Sequence, residues 1–114
     1  PHLAGTPLVV SAAKGIEEGT HKRMSEVLED VLGPSFATRI AALSGPSFAR
    51  EIAAGMPTAV TAAARDEATA EIVQSVFRTP MFRIYGCTDL IGVEVGGAAK
   101  NVIAIAAGVS DGLG

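Results

Sequence analysis

The run Glu94-Val95-Gly96-Gly97-Ala98-Ala99-Lys100-Asn101-Val102-Ile103-Ala104-Ile105 sets a lysine and an asparagine inside a small, apolar stretch that reads as helix. The alanine, valine and isoleucine around Lys100 are expected to be buried. Lysine is among the residues least often buried without a partner. Desolvation disfavours a charged amine, and an amine poised to lose and regain a proton is a general acid–base group. The competing reading is a lysine that lays its stem along an apolar surface and reaches water with its head. This run by itself leaves both readings open.

A second candidate is Gly45-Pro46-Ser47-Phe48-Ala49, between a strand pattern and a helix pattern. The first N–H groups of such a helix face the loop and suit an anion or a polar ligand edge. A hydrolase nucleophile elbow would use Ser47 but needs a later histidine. The only histidines, His2 and His21, precede it. A plain strand–turn–helix joint explains the residues better. Lys14 closes the first strand pattern, at the end that faces the ligand crevice in open α/β sheets, although a solvated turn lysine has the same sequence appearance. His2 and His21 have no metal-ligand spacing, so no metal site is expected. Arg78 and Arg83 read as solvated, and Cys87 shows no signal of reactivity. A Gly-x-Gly-x-x-Gly dinucleotide fingerprint does not occur in these residues.

Elements that must position these groups follow from periodicity. Leu8–Ala12, Ile40–Leu43, Thr58–Ala62 and Met81–Tyr85 read as strands, the last closed by Gly86. Met24, Val27, Leu28, Val31 and Leu32 recur at helical spacing, with Thr20 as the expected cap and Gly33-Pro34 as the stop. A short helix from Phe48 to Ala54 is expected, with Pro46 suited to a first helical position. Asp66 should cap a helix carrying Ile72, Val73, Val76 and Phe77. Asp89 should cap a long one reaching about Ala106. Glycines at Gly92, Gly96 and Gly97 weaken that helix, which points to close approach of backbone or ligand. Alternating strands and helices argue for a mostly parallel sheet covered by helices. The change of character near Gly86-Cys87 marks a domain boundary, dividing 1–87 from 88–114.

The 114 residues suffice for one small core, and 48% are hydrophobic while only 4% are aromatic. Mean hydropathy is +0.38. Net charge is −3, with no basic stripe, so no nucleic-acid partner is expected. A single cysteine fits a reducing, cytoplasmic setting. No apolar run approaches a membrane span on this reading. Pro1 at one end and the glycine-rich Asp111-Gly112-Leu113-Gly114 at the other read as the limits of an internal piece of a longer protein.

Ser11-Ala12-Ala13-Lys14-Gly15-Ile16-Glu17, Leu43-Ser44-Gly45-Pro46-Ser47-Phe48-Ala49, Gly92-Val93-Glu94-Val95-Gly96-Gly97-Ala98-Ala99-Lys100-Asn101-Val102 and Asp111-Gly112-Leu113-Gly114 occur in series. Together they resemble the bacterial NAD(P)-dependent glycerol-3-phosphate dehydrogenases over nearly the whole chain. The resemblance implies an α/β fold: the C-terminal half of a Rossmann-type domain over 1–87, then the first long helix of an all-α substrate domain over 88–114. It implies Lys100 as the catalytic lysine. Substrate contacts would come from Lys14, Gly45, Ser47, Lys100 and Asn101, and contacts to the cofactor, NAD or NADP, from Lys14 and Ala49. The glycine fingerprint would precede Pro1 and a phosphate-gripping Arg-Asn pair would follow Gly114, so this chain alone should be inactive.

The implied reaction interconverts glycerol 3-phosphate and dihydroxyacetone phosphate, supplying a phospholipid precursor. An ammonium can stabilise and protonate the oxygen on which charge develops during ketone reduction. The implied setting is cytoplasmic and compatible with a homodimer. The rival readings are a β-hydroxyacid dehydrogenase, which the Gly-Pro-Ser-Phe-Ala and Asp-Gly-Leu-Gly motifs disfavour, and a catalytically silent structural module.

Overall fold

The computed structural model describes residues 5–114, so His2 lies outside the described residues. In chain order the elements are β1 (Val9–Ser11), α1 (Met24–Leu32), a 3-10 turn (Pro34–Phe36), β2 (Ile40–Ser44), α2 (Ala49–Ala53), β3 (Thr58–Ala64), α3 (Glu67–Phe77), β4 (Phe82–Cys87) and α4 (Leu90–Leu113). The four strands form one sheet in the order β1-β2-β3-β4. β1 pairs with β2 and β3 with β4 in parallel, each pair bridged by a helix. β2 and β3 are antiparallel, with Ser44 opposite Thr61 and Ala41 opposite Ala64. The α/β class is as expected, with this one reversal. The short α2 that joins these two strands has all its residues exposed and does not cover the sheet as a crossover helix does.

The reversal decides where the chain emerges. The carboxyl ends of β1 and β2 share one edge with the start of β3, whereas β4 exits at the opposite edge. α4 must then run back over the sheet face to reach the first edge. Strand alternation supplies two faces. Ala41, Val60, Ala62, Ala64 and Ile84 pack with Ala70 and Val73 of α3 on one side. Ala42 and Ala63 pack with Leu90, Val93 and Cys87 on the other. Alanines at the contact let helix and sheet backbones approach closely.

Several local expectations change. Thr20 does not cap α1; its hydroxyl donates to Glu17, and Arg23 occupies the cap position. The backbone N–H of Arg23 donates instead to Glu26 at 2.9 Å. Pro46 is not the first helical residue, because α2 starts at Ala49 and Pro46 belongs to the loop, where Ser47 N–H donates to Gly45 O at 2.9 Å. Gly86 lies inside β4 rather than closing it, since pairing with Ala62 carries the strand on to Cys87. Asp66 and Asp89 do cap their helices, through Thr69 N and Gly92 N, each at 2.8 Å. α4 does not end near Ala106: the helix continues through Asp111 and Gly112 to Leu113. On α3, Val73 is buried, but Ile72, Val76 and Phe77 are exposed, and Ala70 fills the sheet-facing row.

Burial around Lys100 also differs from expectation. Ala98 and Ala99 are half-buried, whereas Val102, Ile103 and Ile105 are exposed. The sheet ends near Ser44, so the later turns of α4 project past it. The 24-residue α4 is moreover long and apolar enough, by length and composition, to cross a membrane, contrary to the reading that no run approaches a span. Its first turns are nonetheless held in place, Leu90 packing on the sheet and Glu94 bonding to the start of α1, both side chains buried.

Candidate active site

Three segments meet at the edge where β1 and β2 end. β2 delivers Ser44 and the Gly45–Phe48 loop, the chain leaving β1 delivers Lys14, and the middle of α4 delivers Gly96, Gly97 and Lys100. Between them lies a cleft of about 390 Å³, lined by Ser44, Gly45, Pro46 and Thr61 on the sheet side and Gly92, Val93, Gly96, Gly97 and Lys100 on α4.

Neighbouring atoms crowd Gly97 and Gly45 in different ways. A Cβ on Gly97 would stand 2.6 Å from Ser44 Oγ and 3.8 Å from Lys14 Cγ, so α4 lies against the Ser44 hydroxyl and in ordinary contact with the Lys14 stem at this point. On Gly45 it would stand 2.9 Å from Val60 Cα, a backbone atom that cannot turn away. Gly96 has open space over its Cα and forms part of the cleft wall.

Two ammonium groups flank the loop. Lys14 Nζ donates to the Gly45 carbonyl at 3.0 Å. Lys100 Nζ stands 5.5 Å from the centre of the Phe48 ring. Among the described residues no carboxylate lines the cleft itself. Lys100 in the wall and Lys14 beside the loop bring positive charge to the sheet-edge side of the cleft, while the Asp89 carboxylate, which accepts from Gly92 N, stands at its other end.

The structure thus brings Lys14, Gly45 and Lys100 together. Ser47 is half-buried in the same loop but is not among the residues lining the cleft, and Ala49 is exposed at the start of α2. Asn101 is exposed and outside the cleft wall, one helical step around from Lys100.

Sequence reasoning overlooked what holds α4 at this angle. Glu94 is buried, and its carboxylate accepts from Ser25 N at 2.7 Å, from Ser25 Oγ at 2.6 Å and from Arg23 Nη1 at 2.8 Å. It therefore caps the start of α1 from a distant part of the chain. The signal was present: Glu94 is a lone acid in the same apolar run that drew attention to Lys100. Ser44, Thr61 and Phe48 carried no such signal, because only the β2–β3 pairing and the path of α4 place them at the cleft.

A family profile described as the NAD-dependent glycerol-3-phosphate dehydrogenase N-terminus matches residues 1–70, more than half of the chain. The chain belongs to this family. The C-terminal profile of the same glycerol-3-phosphate dehydrogenases matches residues 89–114. The glycerol-3-phosphate dehydrogenase [NAD(P)+] of Koribacter versatilis is 56% identical over 113 residues, which are 99% of this chain and 34% of that protein. Its counterpart in Syntrophotalea carbinolica is 58% identical over 114 residues, with 100% and 34% covered. The chain spans about a third of the length of these relatives. Among solved structures, the glycerol-3-phosphate dehydrogenase of Coxiella burnetii superposes with a TM-score of 0.74 at 38% identity, over 91% of this chain and 31% of that one.

Proposed function

We propose that this chain is the central part of an NAD(P)-dependent glycerol-3-phosphate dehydrogenase. It would join the second half of the dinucleotide-binding domain, 1–87, to the start of the helical substrate domain, 88–114. The observation that carries the reading is the meeting of Lys14, the Gly45–Phe48 loop and Lys100 around one cleft at the carboxyl ends of β1 and β2. The two ammonium groups at the sheet-edge end of the cleft suit a phosphorylated substrate such as glycerol 3-phosphate or dihydroxyacetone phosphate. The bare backbone at Gly96 leaves room for a planar ring against α4, so the residues fit the nicotinamide end of NAD or NADP.

When bound, that cofactor supplies or accepts the hydride at nicotinamide C4. Lys100 holds the proton at Nζ and passes it to the substrate oxygen on C2 as the ketone is reduced, or takes it back in oxidation. Lys14 keeps the loop backbone in place through Gly45 O and leaves its charge beside the cleft. Ser47 and Asn101 are the further substrate contacts, and Ala49 the cofactor contact, that the family resemblance implies. The cytoplasm is the proposed setting, with one cysteine and no disulfide to form, and a homodimer the proposed assembly.

The test is turnover in the full-length protein with Lys100→Ala and Lys100→Arg beside the wild type. Lys100→Ala should lower kcat by about a hundredfold or more, with little change in cofactor affinity. Lys100→Arg should not restore it, because a guanidinium keeps its proton. Near-wild-type turnover by the arginine variant would reduce Lys100 to a fixed charge. The same result with alanine would make it a snorkelling surface lysine.

A further inference from the structure

Phe48 is 61% exposed although it is a large apolar side chain in a short loop. Such exposure forfeits burial, yet the ring is not idle: it lies beneath the Lys100 ammonium at 5.5 Å, inside the range in which a ring face attracts a cation. The loop that carries it is tied to the sheet at its start. Gly45 is wedged against the Val60 backbone, and the Gly45 carbonyl takes the Lys14 ammonium. The Lys100 stem has several rotatable bonds and starts from a helix that projects past the sheet, where no carboxylate among the described residues pairs with it.

We propose that Phe48 is a positioning residue for Lys100, its ring holding the ammonium at the cleft so that the proton donor is in place before substrate arrives. This rests on the functional reading above. A lysine held by a ring face keeps freedom to turn toward an incoming oxygen, whereas a carboxylate partner would bind it more tightly and cancel its charge. The same loop then fixes both cations of the site, Lys14 through a carbonyl and Lys100 through a π face. An aromatic residue is required at 48, and apolar bulk alone does not suffice.

Two measurements on the full-length protein test this. The first labels lysine amines by reductive methylation with [13C]formaldehyde and assigns the Lys100 signal by its loss in Lys100→Arg. The ring should displace that signal upfield in the wild type and in Phe48→Tyr, and Phe48→Leu should return it to the position of a free lysine. The second is steady-state kinetics. Phe48→Leu should lower kcat about threefold to tenfold with KM for the cofactor unchanged, and Phe48→Tyr should stay within about twofold of wild type. An undisplaced Lys100 signal in the wild type, or equal kcat for Phe48→Leu and wild type in an active enzyme, overturns the proposal. A wild-type protein without dehydrogenase activity defeats the functional reading instead, and the methyl signal then decides the ring contact by itself.

Discussion

At the scale of single residues, the glycines separate into two kinds. Gly97 faces the Ser44 hydroxyl, which can rotate away, so the Cβ of Gly97→Ala displaces one flexible atom and gains helix propensity. Gly45 faces the Val60 backbone, which has no such freedom. Gly45→Ala should therefore destabilise the fold by about 1–3 kcal/mol, the usual cost of overpacking, and should shift the loop that carries Phe48. Urea unfolding of the variant beside wild type checks the first part; an unchanged midpoint would mean that β2 and β3 separate easily at this point. The lysine and the glycines of the site were legible because each breaks the pattern around it. Phe48 was not, since a phenylalanine before a short helix looks like ordinary core.

At the scale of elements, the joint between α1 and α4 matters most. Glu94 answers the Ser25 N–H in the first turn of α1 and the Arg23 guanidinium together. Breaking a buried pair by removing one partner leaves the other uncompensated. Glu94→Ala should cost about 3–5 kcal/mol by chemical denaturation, far more than loss of the solvent-screened surface pair between Lys22 and Asp30. Similar losses for both would show that the Glu94 carboxylate stays hydrated.

The same end of α1 gives a pH dependence. The Arg23 backbone N–H and then the Arg23 guanidinium hold the Glu26 carboxyl below its ordinary value of 4.5. A folded value below the unfolded one means stabilisation that is present above pH 4.5 and lost as pH falls through the lower, folded value. The stability gap between wild type and Glu26→Gln should be constant near neutrality and close below that window, as urea midpoints across pH would reveal. A gap that persists in strong acid would assign the effect to side-chain packing.

At the scale of the whole molecule, the later half of α4 leaves Val102, Ile103 and Ile105 exposed, while the relatives are about three times as long as this chain. We expect the substrate domain proposed above to cover that face. Ile103→Glu should then change the stability of the 114-residue chain by less than about 0.5 kcal/mol, as surface substitutions do, but cost the full-length protein about 2 kcal/mol or more. Equal small effects in both would leave the face open to solvent. The sequence by itself determined most elements and the motif residues. Period-2 and period-3.6 patterns, aspartate caps and a lysine out of place in an apolar run are local properties, readable from neighbours a few residues away. Tertiary structure alone decided the direction of β3, the return of α4 across the sheet, and the seating of Glu94 on Ser25 and of Lys100 over Phe48. Those contacts join residues dozens of positions apart, and they depend on which strand edge the chain leaves from, a choice made by packing rather than by any local pattern.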